Sequence, residues 1–250
     1  MSTVSVIVIT LNEEKNITRC LDAVKWVDEV IVLDSGSKDK TIELAKNYTD
    51  KVFHQDWLGF GPQKNKALSH VSSEWVLWLD ADEVVTPELA QSIQTEIANP
   101  KKDYYKLLRR SYFLGRILNH GDWGRDWVVR LFKKGDICWS DSQVHESLNV
   151  KKQDAETLSG KLIHHTQESF FQSIDKINKY STLSAEMMVQ KGKMPSFAKA
   201  VIRSKMAFFR SYILRLGFLD GAEGYLCAKN IALGAYLKYM KCIFDYKNKS

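Results

Sequence analysis

The sequence predicts an α/β protein, with a mainly parallel sheet flanked by helices and a helical C-terminal extension. Three observations lead there. Short β-branched runs alternate with segments of helical spacing through the first part of the chain, and polar residues collect where those runs end. From about Ser169 the pattern is helical to the end.

"VSVIVIT" (Val4–Thr10) reads as the first strand, and Glu13–Val24 as a helix with Ile17, Cys20, Leu21 and Val24 on one side. Glu29–Leu33 is a second strand, and "DSGSKDKT" turns into a helix over Thr41–Asn47. Lys51–His54 forms a short third strand, Gln63–Ser69 a helix and Trp75–Leu79 the fourth strand. Thr86 caps the next helix, with Pro87 at its first position. Such alternation implies parallel strands covered on both faces. Residues 104–150 change character, with "YYKLLRRSYFLGRIL" and "WVVRLFKKGDICW" as strands around the glycine-rich "NHGDWGRD". "VQKGKMPS" (189–196) separates two later helices. There is no internal repeat. The organisation expected is a nucleotide-binding part over 1–110, an acceptor-side part of the same domain over 111–168, and a basic amphipathic helical region over 169–250.

The 250 residues, 44% hydrophobic and 26% charged, can bury a substantial core and are not those of a disordered chain. Cys20, Cys138, Cys227 and Cys242 lie far apart without metal spacing and read as reduced packing residues of a cytosolic protein. The N-terminus lacks a basic leader, and no apolar run reaches membrane-spanning length. The net charge of +6 is uneven: from Gly160 onward there are 15 Lys+Arg against 6 Asp+Glu, before it 21 against 24. A basic tail of this kind suits an anionic surface or substrate.

In open α/β sheets ligands bind beyond the carboxyl ends of the strands, and here those ends carry Thr10, Asn12 and Glu13, then Asp34 and Ser35, then Asp80 and Asp82. If the segment after "WVLWL" stays extended, Asp80 and Asp82 point the same way and present two carboxylates to one cation. Hard oxygen ligands suit Mg²⁺ or Mn²⁺ carrying a diphosphate. The alternative is that Asp82 or Glu83 only charges the start of the following helix. "ITLNEE" stands where a dinucleotide enzyme would have GxGxxG, and no glycine-rich triphosphate loop follows the first strand, which argues against oxidoreductase and nucleotidyltransferase alike. The strand-end acids also argue against a purely basic nucleic-acid-binding role.

"VSVIVITLNEEKNITRCLDAV", "EVIVLDSGSKDKTIELAK", "GPQKNKAL" and "EWVLWLDADE" together resemble the successive motifs of inverting family-2 glycosyltransferases, whose GT-A fold is a Rossmann-like nucleotide-diphospho-sugar transferase fold. "RLFKKG", "VHESL" and "FLDGAEGYLCAKNIALGAYLKYMK" are similar to a bacterial branch, the lipopolysaccharide inner-core β-1,4-glucosyltransferases, which add glucose to heptose. The resemblance implies that Thr10, Asn12 and Glu13 or Glu14 line a uridine pocket, that Asp34 meets the uracil ring nitrogen, and that Lys64 approaches the donor phosphates. It implies Asp80 near ribose and metal, and Asp82 as a direct metal ligand. Relatives with "DDGS" have two acids where "LDSGS" here has only Asp34.

Inversion at an anomeric carbon needs a general base for the attacking hydroxyl. Glu146 in "SQVHESL" fits best through the resemblance, with Asp141 or Asp122 behind it and His145 as its orienting partner. On the acceptor side, Arg125 and Arg130 are candidates to meet phosphates and Trp123 to stack on a sugar, whereas Trp127, starting a strand, reads as core. His164 and His165 are candidates for a further metal ligand or for packing.

In "SFAKAVIRSKMAFFRSYILRLGF", Lys199, Arg203 and Arg210 share one helical face opposite a broad apolar one, with Lys205 inside the apolar face. That helix suits either an anionic membrane interface or packing within the fold. The expectation is a metal-dependent transferase using UDP-glucose and a phosphorylated, lipid-linked lipopolysaccharide core acceptor, peripheral at the cytoplasmic face of the inner membrane, with no nucleic-acid partner. Another sugar, or a lipid-phosphate or peptide acceptor, is the alternative.

Overall fold

A computed structural model of the protein describes residues 2–140, 147–167 and 169–246. The chain packs as two compact units, residues 1–109 with 126–165 and residues 110–125 with 166–250.

In the first unit, β1 (Val4–Thr10), β2 (Glu29–Asp34), β3 (Val52–His54) and β4 (Trp75–Asp80) form a parallel array in the order β3-β2-β1-β4. Their registers bring Thr10 opposite Asp34 and Ile9 opposite Asp80, so the strand tips end together. The connecting helices α1 (Ile17–Asp22), α2 (Thr41–Ala45) and α3 (Phe60–Leu68) differ from expectation at their ends. Residues 13–16 form a turn, in which the Glu13 carbonyl accepts from the Asn16 and Ile17 N–H groups, so α1 starts only at Ile17. α3 starts three residues before Gln63, because Pro62 falls in the first turn, where no N–H donor is required.

The strict two-residue alternation of β4 divides the core. Trp75, Leu77 and Leu79 pack with Val4, Val6 and Val8 on one face, while Val76 and Trp78 pack with Ile7, Ile31 and Phe132 on the other. Asp80 therefore leaves the strand on the Trp78 side.

Beyond β4 the pattern departs from the sequence reading. Ala81 and Asp82 form a turn, followed by β5 (Glu83–Val85). α4 (Pro87–Ala98) follows, with the Thr86 hydroxyl accepting from the Leu89 N–H at 3.3 Å, as its capping sequence predicts. Then come β6 (Tyr104–Phe113), β7 (Arg116–Ile117), β8 (Asp126–Lys133) and β9 (Glu156–Gln167). β8 runs antiparallel to both β4 and β6, and β9 antiparallel to β5 with His164 opposite Glu83. Neither β5 nor β9 was legible: β5 is three residues long, and in β9 the buried Leu158, Leu162 and Ile163 do not alternate. Three of the cysteines are buried and unpaired, but Cys138 is exposed, which corrects its reading as a packing residue.

In the second unit, α5 (Phe170–Gln190), α6 (Phe197–Phe209) and α7 (Gly221–Phe244) supply the helical region. Ser169 and Ser196 cap α5 and α6 by accepting from the Gln172 and Lys199 N–H groups. Both α5 and α6 pack against α7, whose inward positions include the small residues Gly224, Ala228 and Ala232. A π-helical turn over Arg210–Leu214 and a 3-10 turn over Gly217–Asp220 join α6 to α7. Residues 110–125 join this unit through β7, which pairs with the end of β6, and through a cluster of Phe113, Leu118 and Cys227. Among the described residues no helix is long and apolar enough to cross a membrane.

Candidate active site

The aligned tips of β1, β2 and β4 carry the expected polar residues, each held differently. The Thr10 hydroxyl is buried and makes no hydrogen bond among the described residues. Asn12 has a left-handed backbone (φ 56°), and its side-chain oxygen accepts from the Lys38 N–H at 2.8 Å. The Glu13 N–H donates to Thr41 Oγ1 at 2.7 Å and the Glu14 N–H to Asp39 Oδ2 at 3.1 Å. Asp34 is 1% exposed, and its Oδ2 accepts from the Gly36 and Ser37 N–H groups, each at 2.8 Å. Its carboxylate thus shapes the turn after β2, the side-chain-to-backbone bonding that favours Asp in turns.

At the β4 tip the acids meet cations. Arg130 Nη2 lies 2.7 Å from Asp80 Oδ2 and 2.5 Å from Glu83 Oε1, and its guanidinium carbon stands 3.4 Å from the Trp78 ring centre. Lys64 Nζ lies 3.9 Å from the same ring centre. Arg109 adds a second guanidinium, 3.1 Å from Glu83 Oε1 and 2.6 Å from Asp126 Oδ2. Glu83 is fully buried and also accepts the Asp80 N–H at 3.0 Å, so all its bonds are charge-assisted or to backbone. Burial opposes ionisation of Asp80, yet the charges of Arg130 and Lys64 outweigh it and hold the carboxyl below its ordinary range. Burial, reinforced by Glu83 and Asp82, pushes the neighbouring Cys20 thiol well up, leaving it unreactive.

Because the chain turns at Ala81, Asp80 and Asp82 do not lie two apart in an extended strand, which corrects that premise. Asp82 instead has His164 Nε2 3.1 Å from its Oδ2, and its carbonyl accepts the His165 N–H. No group of three metal-ligating side chains gathers among the described residues. A divalent ion is still compatible with this tip. Neighbouring ligands around an ion with bonds of about 2.1 Å stand about 3 Å apart, close to the carboxylate–imidazole separation here, and Mg²⁺ or Mn²⁺ draws much of its shell from water and phosphate.

A cavity of about 470 Å³ opens over Asp80, lined by Lys64, Trp78, Arg109, Trp127 and Arg130 among others. One residue differs from its expected setting. Trp127 is half-buried and lines this cavity, not the core, because its outward position on β8 faces the site. Trp123 belongs to the second unit and packs edge-to-face on Phe113 at 5.5 Å. Arg125 likewise belongs to the second unit, and Arg130 is buried in the Asp80–Glu83 network. Glu146, His145 and Asp141 lie outside the described residues, and Asp122 is ion-paired to Arg210 and Arg215 in the second unit. Sequence reasoning missed Arg109 and the central place of Glu83. In "YYKLLRR" the buried Tyr105 and Leu107 put Arg109 on an inward face, where it requires a buried acid.

Strand tips that align acids and cations around a cavity of this size give the fold and setting of an α/β enzyme site. The comparisons give the particular class. The model of Glycosyl transferase family 2 matches residues 5–171, and the chain belongs to that family; it is a glycosyltransferase. Over 95% of its length it is 29% identical to the lipopolysaccharide core biosynthesis glycosyltransferase LpsC of Rhizobium meliloti (strain 1021), covering 90% of that protein. It is 30% identical to an uncharacterized glycosyltransferase of Rickettsia typhi, over 96% of this chain and 87% of that one. A crystal structure of glucosyl-3-phosphoglycerate synthase from Mycobacterium tuberculosis with Mg²⁺ and UDP is 26% identical, over 46% of this chain and 44% of that one, with a TM-score of 0.36.

Proposed function

We propose that this glycosyltransferase moves glucose from UDP-glucose, with inversion, to a heptose of the lipopolysaccharide inner core at the cytoplasmic face of the inner membrane. The observation that carries the donor half is the β4 tip, where Asp80, Arg130, Lys64 and Trp78 surround one cavity beside the Asp82–His164 pair. In this reading the unpartnered Thr10 hydroxyl, Asn12 and Glu13 or Glu14 bind the uridine, and Asp34 reaches the uracil while holding the turn. Lys64 and Arg130 face the diphosphate, where fixed cations stabilise charge as the bond to the sugar breaks. A Mg²⁺ or Mn²⁺ ion at Asp82, with His164 and Asp80 beside it, would neutralise the departing diphosphate as a Lewis acid. The acceptor hydroxyl attacks the anomeric carbon, its proton passes to Glu146 as general base with His145 orienting it, and UDP leaves with the bonding electron pair.

The acceptor half is supported by the likeness to a relative named for lipopolysaccharide core biosynthesis. Peripheral contact with an anionic membrane is supported by α6, where Ile202, Met206 and Phe209 are more than half exposed. Met206 and Phe209 line a groove of about 540 Å³ rimmed by Arg203, Lys205, Arg210 and Lys238. Apolar side chains beside such cations suit an anionic bilayer surface.

The deciding experiment measures UDP release from UDP-glucose with a heptose-containing core acceptor, for the wild type, Asp82→Ala and Glu146→Gln. Both variants should stay folded and lose transfer. Normal turnover by Asp82→Ala with Mg²⁺ present would remove the metal assignment, and no turnover by the wild type on heptose would remove the acceptor.

A further inference from the structure

The second unit contains a separate cavity of about 540 Å³, lined by Arg110, Asn119, His120, Gly121, Arg125 and Arg215 among others. Among the described residues no carboxylate lines it. We infer that it is an anion site, built to take a phosphate monoester.

Arg110 is the anchor. It is 7% exposed, and its Nη1 donates to the Asn119 carbonyl at 2.6 Å and to the Gly124 carbonyl. Neutral carbonyls orient the guanidinium without cancelling its charge. Its Nε is buried and has no hydrogen-bond partner among the described residues. Arg125, exposed and without an ion-pair partner among the described residues, adds a second positive charge to the lining. Burial lowers the affinity of Arg110 for its proton and repulsion from Arg125 adds to that effect, with the Asp220 charge opposing them in part. An incoming dianion relieves both.

The nearby acids are already engaged. Asp220 is 1% exposed, its Oδ2 accepts the Asn119 and His120 N–H groups at 2.9 and 2.7 Å, and its Oδ1 lies 3.1 Å from His120 Nδ1. Asp122 pairs with two arginines at once, Arg210 at 2.5 Å and Arg215 at 2.8 Å, so one negative charge faces two positive ones. The backbone is shaped to the same end. The π-helical turn, closed by Arg215 N–H to Arg210 C=O at 2.9 Å, places both arginines on Asp122. Gly124 approaches so closely that a Cβ there would stand 2.1 Å from the His120 carbonyl oxygen. Only glycine lets its carbonyl reach Arg110 in this way.

A guanidinium cluster without a lining acid selects tetrahedral oxyanions, and a monoester brings up to two charges where a diester brings one. Such a group could arrive on a soluble sugar phosphate, on a phosphorylated glycolipid or on a membrane phospholipid. The shared chemistry is the monoester. The site is independent of the donor reaction and stands if the proposed acceptor is wrong.

The test is binding of glycerol 3-phosphate to the full chain saturated with UDP, by titration calorimetry at constant ionic strength, with glycerol as control. Wild type should bind, and Arg125→Glu should weaken binding at least tenfold while its circular dichroism and melting temperature stay unchanged. Arg110→Lys, which keeps the charge but loses the fork, should also weaken it. Equal affinity in the wild type and Arg125→Glu, or no binding by the wild type, overturns the inference. Co-sedimentation with phosphatidylcholine vesicles with and without phosphatidic acid separates the sources. Loss of the phosphatidic acid response in Arg125→Glu places a lipid headgroup in the pocket. Loss of glycerol 3-phosphate binding alone assigns it to a non-membrane monoester.

Discussion

Arg130 and Asp80 form an ion pair 2.7 Å long at the tip of β4, and the same guanidinium nitrogen reaches the fully buried Glu83 at 2.5 Å. The arginine, 3% exposed, is therefore shared between a carboxylate open to the cavity and one that has no water to fall back on. The pair with Glu83 is structural, and the pair with Asp80 is placed to exchange with a ligand.

That division predicts different costs. Arg130→Met leaves Glu83 with only Arg109 as a charged partner among the described residues and should destabilise the protein by about 3–5 kcal/mol, the usual cost of breaking a buried ion pair. Asp80→Asn, at the more open end, leaves Arg130 paired to Glu83 and should cost clearly less stability than Arg130→Met, acting on transfer instead. Urea midpoints of the two variants decide this, and equal loss of stability would merge the two roles.

The Asp82–His164 pair predicts a metal-linked phenotype. His164→Ala should raise the Mn²⁺ concentration needed for half-maximal transfer about 10–100-fold with little change in folding. An unchanged Mn²⁺ requirement would make the histidine a hydrogen-bond partner of Asp82 and nothing more.

At the opposite end of the parallel strands, Glu29 starts β2 and accepts from the Ser5 hydroxyl, Lys51 Nζ and the Ser72 N–H and hydroxyl. Burial alone would raise its pKa, but the bonds from Lys51, Ser5 and Ser72 prevail and bring it down to about 2. The folded state holds the ionised form, so this stability is complete above the ordinary carboxyl range near pH 4.5 and is lost as pH falls through about 2. The shift corresponds to roughly 3 kcal/mol. Glu29→Gln should lose about that much at pH 7 and progressively less toward pH 3 in urea titrations, with transfer activity per folded molecule unchanged. A gap that widens on acidification would contradict the assignment.

The exposed apolar side of α6 predicts lipid dependence. Ile202→Asp with Met206→Asp should abolish co-sedimentation with anionic vesicles without lowering the melting temperature, because neither side chain is buried. If binding is indifferent to lipid charge, or the double variant sediments as before, membrane contact through α6 is excluded.

The sequence by itself determined much of this protein. The apolar run "WVLWL" assigned β4, and "VSVIVIT" and "EVIVL" assigned its neighbours, because burial on both faces writes itself into consecutive residues, while the division of β4 between two core faces came from the structure. Thr86-Pro87 marked a helix start through bonds only a few residues long. What lay outside such local rules had to wait for the tertiary structure. Arg109, Arg130 and His164 sit on β6, β8 and β9, far along the chain from the acids they meet, and the turn at Ala81 that sends Asp80 and Asp82 to different partners leaves no periodicity to read. The settings of Trp123, packed on Phe113 in the second unit, and of Trp127, lining the cavity over Asp80, likewise depended on the tertiary structure. Strand and helix signals arise from nearest neighbours, whereas the pairing of charges is settled by long-range registry between strands, and a single sequence does not display that registry.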